Sequence, residues 1–121
     1  MSAEEKLYTA LTGSTLITTT TTRIIPVHVR QRTTLPYIVY TRISGSQYNG
    51  LAGYLDTERP AIQVDVYSTS FSQAKSLAEN VHTVLDATTT IRAVLVSDND
   101  LFEDEIDSYR VSMDFSCINH E

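Results

Sequence analysis

Two stretches of strict alternation flank one long helical stripe, and this order of periods constrains the fold more than any other feature. In residues 61–67, Ile62, Val64 and Val66 point one way while Gln63, Asp65 and Tyr67 point the other. In residues 109–118, Tyr109, Val111, Met113, Phe115 and Cys117 alternate with Arg110, Ser112, Asp114 and Ser116. A period of two puts one set of side chains on a covered sheet face and the other on a wetter one. Between these strands, Phe71, Ala74, Leu77, Ala78, Val81, Val84 and Leu85 recur at helical spacing as a continuous apolar stripe. The stripe and the two apolar strand faces need each other. Ile62, Val64, Val66, Leu77, Val81, Val111, Met113 and Phe115 are therefore the expected core.

The remaining elements fit around this unit. Ser2 followed by Glu5 forms a capping box for a first helix through Leu7, Ala10 and Leu11, with Gly13 as its end, and Ser70 with Gln73 forms a second box before the stripe. The threonine-rich run 14–22 reads as an extended connector, because β-branched residues disfavour a helix. Residues 23–30 (RIIPVHVR) read as a strand at an edge or bulge, since Pro26 removes a ladder donor. Residues 35–43 (LPYIVYTRI) and 91–96 read as further strands. Strands and helices segregate without a βαβ rhythm. The expected class is thus α+β, a mostly antiparallel sheet with two helices on one face in the order α-β-β-β-α-β-β. A chain of 121 residues supplies one domain, 1–121, with a core that needs no staple.

Charge is distributed unevenly. The net charge is −6, but residues 1–60 hold six Lys/Arg against four Asp/Glu, and residues 61–121 hold three against eleven. Between Arg23 and Arg42 stand four arginines and no acid. A globally acidic chain is poorly suited to neutralising phosphates, so nonspecific nucleic-acid binding is not expected. The longest apolar runs are three or four residues, far short of the ~20 that span a bilayer, so no membrane partner is expected either. The opening MSAEEKLYTAL carries acids early and no apolar segment, which predicts no secretory leader and synthesis in a cytoplasm.

No catalytic or ligand-binding constellation stands out. His28, His82 and His120 are far apart and lack metal-ligand spacing. Cys117, the single cysteine, reads as a small buried hydrophobe and excludes an internal disulfide. There is no P-loop, GxSxG or GxGxxG; neither a metal nor a cofactor is expected.

Two segments are anomalous. Residues 44–59 are too long for a simple hairpin turn, hold three of the four glycines, and carry Tyr48, Leu51, Tyr54 and Leu55. With Asn49-Gly50 as a type I′ turn signal, they read as a hairpin arm bearing a protein contact, or as a surface loop. Residues 98–107 (DNDLFEDEID) hold six acids in ten positions and lack the glycine of a calcium loop. They read as a solvated hairpin loop or as an electrostatic surface, with Leu101 and Phe102 as contact residues.

Arg23-Ile24, then residues 35–40 (LPYIVY), then 62–67 (IQVDVY), a helix with Ala74, Leu77 and Ala78, and finally 109–115 (YRVSMDF) follow one another in a recognisable order. From about Leu7 to Ile118 the chain resembles the tail terminator, or tail completion, proteins of long-tailed bacteriophages and related particles. The resemblance implies a structural virion protein without enzymatic activity, located at the head-proximal end of the tail after assembly in the host cytoplasm. It implies a homo-oligomeric ring, typically a hexamer, that sits on the tail tube, stops its polymerisation and offers the head-joining surface. The implied partners are other copies of the chain, the tail tube protein and the head–tail connector, with DNA passing through the ring but not specifically bound.

On that reading Arg30, Arg32, Tyr48, Leu51, Tyr54, Leu55, Leu101 and Phe102 are candidate interface residues. Asp98, Asp100, Glu103, Asp104 and Glu105 are candidates for facing the channel; alternatively, the acidic segment pairs with the basic stretch around Arg23, Arg30, Arg32 and Arg42 of the next subunit. Two other classes stay open: a small-molecule-binding or regulatory α+β domain using one sheet face, and an enzyme with a site built from Asp65, His28 and Tyr67.

Overall fold

The computed structural model describes residues 2–29, 33–44, 47–50 and 53–120, of which residues 44, 47–50, 53–58 and 120 are described by backbone only. The first helix, α1 (Ala3–Thr12), begins with the expected capping box: Ser2 Oγ accepts from the Glu5 N–H at 3.2 Å and the Glu5 carboxylate accepts from the Ser2 N–H at 3.3 Å. The threonine run departs from expectation. Its first part forms one helical turn, α2 (Thr15–Thr18), anchored by the fully buried Ile17. Thr18 and Thr19 donate their hydroxyls to the carbonyls of Ser14 and Thr15 at 3.0 and 2.9 Å. Back-bonding of this kind makes a short helical turn tolerable for residues that disfavour helix.

The strands are β1 (Ile24–Pro26), β2 (Tyr37–Ser44), β3 (Gln47–Gly50), β4 (Gly53–Glu58), β5 (Ala61–Ser68), β6 (Arg92–Glu103) and β7 (Ser108–His120). They form one sheet in the order β1-β2-β5-β7-β4-β3, with β6 paired to β7. Among the described residues only β1 with β2 is parallel; the other pairs are antiparallel. The fold is α+β as expected.

Register shows how the long strands are built. Ala61 pairs with Ser116 in the sheet, and Glu58 pairs with Asn119 in the same register beyond it. The Cys117 N–H donates to the Pro60 carbonyl at 2.9 Å across the break. Thus β4 and β5 are one line of chain along β7, interrupted where Pro60 has no donor to give. In residues 44–59 the expected reversal at Asn49-Gly50 is not observed, because Asn49 pairs with Tyr54 and Gly50 with Gly53, so both lie within strand β3. A larger correction concerns residues 98–107. Strand β6 continues past residue 96 to Glu103, and only a 3-10 turn, Asp104–Ile106, joins it to β7. The acidic segment is mostly strand.

Helix α3 (Phe71–Ala87) starts as expected at Ser70, whose side chain accepts from the Gln73 N–H. The second half of the box is rebuilt, however. Ser68 Oγ donates to Gln73 Oε1 at 2.6 Å and accepts from the Ser70 N–H at 3.1 Å, standing between the two box residues. Helices α1 and α3 pack on the same sheet face, which carries Ile38, Ile62, Val64, Val66, Val111, Met113, Phe115 and Cys117. All eight expected core residues are at most 2% exposed. Phe71 is the exception in the stripe, being exposed at the helix start.

Phe115 lies between Ile62 and Leu95 on its two neighbouring strands. Phe115→Ala is expected to lower unfolding stability by about 3–5 kcal/mol in denaturant titrations, as for other fully buried aromatic truncations. The Cys117 thiol is fully buried, and burial, with a smaller effect of Glu4, pushes its pKa up to about 11. A thiol-specific chromogenic reagent at pH 8 is expected to leave the native protein unlabelled and to react at once after denaturation.

Candidate functional site

The sheet face opposite the helices carries a connected polar network where alternation alone predicts separate wet residues. Arg110 on β7 is its centre. One guanidinium nitrogen donates to Glu103 at 2.8 Å and the other to Asp65 at 3.2 Å. Gln63 Nε2 reaches both Asp65 oxygens and Ser112 Oγ, each at 3.1 Å. The Asp65 side chain is only 8% exposed, so its charge requires these partners. Burial opposes the charge on Arg110, but the bonds to Glu103 and Asp65 outweigh it and raise its pKa. Tyr67 lies alongside, 5.7 Å from the guanidinium carbon, and burial pushes its phenol up to about 12 despite Arg110.

This network floors a cleft of about 480 Å³. One wall holds Val27 and Val29, the other Glu103, Glu105 and Ile106. A γ-turn directs the first wall: the His28 N–H donates to the Pro26 carbonyl at 2.6 Å, and Val27 has φ 61°. A β-branched residue at positive φ is strained. The turn ends β1 at Pro26, short of the expected Arg30. Asp65 and Tyr67 meet in this cleft as the enzyme reading required, but His28 does not line it. The Asp65 carboxylate is occupied by Arg110 and Gln63, so the arrangement is that of a structural ion-pair network. Among the described residues no three His, Cys, Asp or Glu side chains gather as a metal site, and no helix is long and apolar enough to cross a membrane.

The acids of β6 divide between the two faces. Asp98 and Asp100 are opposite Met113 and Val111 on the helix-bearing side, and Asp100 holds Lys75 of α3 at 3.1 Å. Glu103 lies on the open face with Arg110, and Asp104 and Glu105 stand in the following turn. An alternating strand cannot present all five to one channel wall. Leu101 and Phe102 are 45% and 48% exposed on opposite faces of β6. Phe102 stacks edge-on against Tyr109, which in turn meets Phe71. Of the other interface candidates, Arg30, Arg32 and Leu51 lie outside the described residues. Tyr48 falls in β3, and Tyr54 and Leu55 in β4. Sequence reasoning missed the Asp65–Arg110 pair; the signal available was one acid and one cation, each alone among polar positions of adjacent alternating strands.

Arg110→Met strips Asp65 of its cation and is expected to destabilise the fold by about 3 kcal/mol, the lower end for a buried charge left without its partner, because Gln63 still donates to it. Arg110→Lys is expected to recover only part of this in the same denaturation assay, since one ammonium replaces a planar fork that spans two carboxylates.

A family model described as tail completion protein gp17 matches residues 5–119. No curated protein matches the chain. Among solved structures, a chain from the virion of a native gene transfer agent particle shares the fold with a TM-score of 0.75 at 15% identity, over 96% of this chain and 92% of that one. The family match reaches from the first turn of α1 to within one residue of the end of β7 and takes in every element between, so the chain belongs to the tail completion protein gp17 family.

Proposed function

We propose that this chain is a tail terminator: a structural, non-catalytic virion protein that closes into a homo-oligomeric ring on the head-proximal end of the tail tube, where it stops polymerisation and offers the surface to which the head connector joins. The observation that carries this reading is the family match over residues 5–119. The gene transfer agent chain adds a shared fold over nearly the full length. A hexamer is the proposed closure, made by heterologous contacts in which one patch of each copy meets a different patch of the next.

Within one domain, the paired strands β3 and β4 serve as the proposed arm, and Tyr48, Leu51, Tyr54 and Leu55 are the residues proposed to contact a neighbouring copy or the tube. Arg30 and Arg32 belong to the same contact class. The turn acids Asp104 and Glu105 are assigned to the channel rim, where negative walls would let DNA pass without sticking. Partners on this reading are further copies, the tube protein and the connector, with assembly in the host cytoplasm. The pocket-binding alternative finds less support, because the polar groups of the open-face cleft are already bonded to one another.

Particles produced without this chain should show tubes of irregular, excess length and heads that remain unjoined, with normal lengths restored by supplying the chain. Tails of normal length joined to heads in its absence would refute the proposal. Deleting residues 47–55 and bridging the gap with a short turn should leave the melting transition in place while abolishing assembly onto tubes.

A further inference from the structure

A second cavity, of about 600 Å³, lies on the helix-bearing side of the sheet, between α1 and the strands β1 and β2. Its lining is mainly apolar: Ile24 and Tyr40 are buried, while Tyr8 and Val27, 41% and 68% exposed, stand with Pro26 at its surface. The charged groups around it are already engaged. Arg42 holds Glu4 at 3.2 Å, and the Glu5 carboxylate accepts from the Ser2 N–H in the capping box. A small ligand would need a few polar groups converging on it, and these are committed elsewhere. What the groove still offers is exposed apolar and aromatic surface, the chemistry of a protein contact.

Charge narrows the occupant. Two carboxylates, Glu4 and Glu5, against the one guanidinium of Arg42 leave the groove net negative, so an acidic segment such as 98–107 is disfavoured by like-charge repulsion. Residues 43–55 carry no charged side chain and include Tyr48, Leu51, Tyr54 and Leu55. They also belong to the least supported part of the sheet. Strands β3 and β4 pair with each other, and among the described residues only Thr57 and Glu58 pair this ribbon with β7. A two-stranded ribbon is marginal in water unless something packs on it, and aromatic side chains filling a partner's pocket are common anchors of an interface. Each copy has one such ribbon and one such groove at different places on its surface, which suits a head-to-tail contact.

We infer that the groove between α1 and strands β1 and β2 is the docking surface for a second copy of this chain, which seats its β3–β4 arm there. The inference rests on the ring reading and names the surface that the arm meets.

The test places a photo-crosslinking phenylalanine analogue at Tyr8, and separately at Val27, in the full chain, mixed with unsubstituted copies and assembled onto tails. Tube ends are imaged in the same preparation. From at least one position the expected product is a band at a multiple of the chain mass whose mass-mapped partner peptide contains residues 47–55. That band should be lost when Tyr48→Glu and Tyr54→Glu are introduced together, since two acids would then enter a groove that is already negative; its persistence would overturn the inference. Rings present with crosslinks only within one copy, to another part of this chain, to a different protein, or to nothing would also overturn it and leave the ring standing. Absence of rings at the tube ends would overturn the proposed function as well.

Discussion

Strand β7 is the element on which the rest of the structure depends. Its backbone groups need partners on both sides, and it finds them in β5 and β4 on one side and β6 on the other. Its alternation decides which face is dry: Val111, Met113, Phe115 and Cys117 meet the helices, while Arg110 and Ser112 face the open side. A slip of one residue would exchange these sets and drive Arg110 into the helix-covered core. Register is therefore fixed by burial, and everything placed by β7, including the ion-pair network and the β6 edge, inherits that precision.

The covered half of the molecule was legible in the sequence because burial writes itself as periodicity. Residues such as Val64 and Leu77 were placed correctly by spacing alone, and the capping serines marked both helix starts. Legibility failed where that pressure is missing. The outer half of β6 is an exposed edge, so no alternation distinguishes its acids from a loop, and residues 98–103 looked like a turn. The one helical turn at Thr15–Thr18 was hidden because its stability comes from Ile17 burial and hydroxyl back-bonds, neither of which is a propensity signal. Strand β1 ended early because a γ-turn at Val27 overrides the local preference of a valine for extended backbone.

The candidate site was legible in composition and illegible in arrangement. Charge segregation between the halves and the apolar pair Leu101-Phe102 are visible in the residue order alone. Which acids share a face was not readable, because it depends on strand register. Once β6 is a strand, Asp100 is committed to Lys75 and Glu103 to Arg110. Those bonds hold the edge strand to the helix on one side and to the network on the other.

The most direct measurement of the central claim is an averaged cryo-electron micrograph reconstruction of the head-proximal end of the tail. The account predicts a closed ring of this fold seated on the last tube layer. A single copy at that position, or the chain found at another part of the particle, would contradict it.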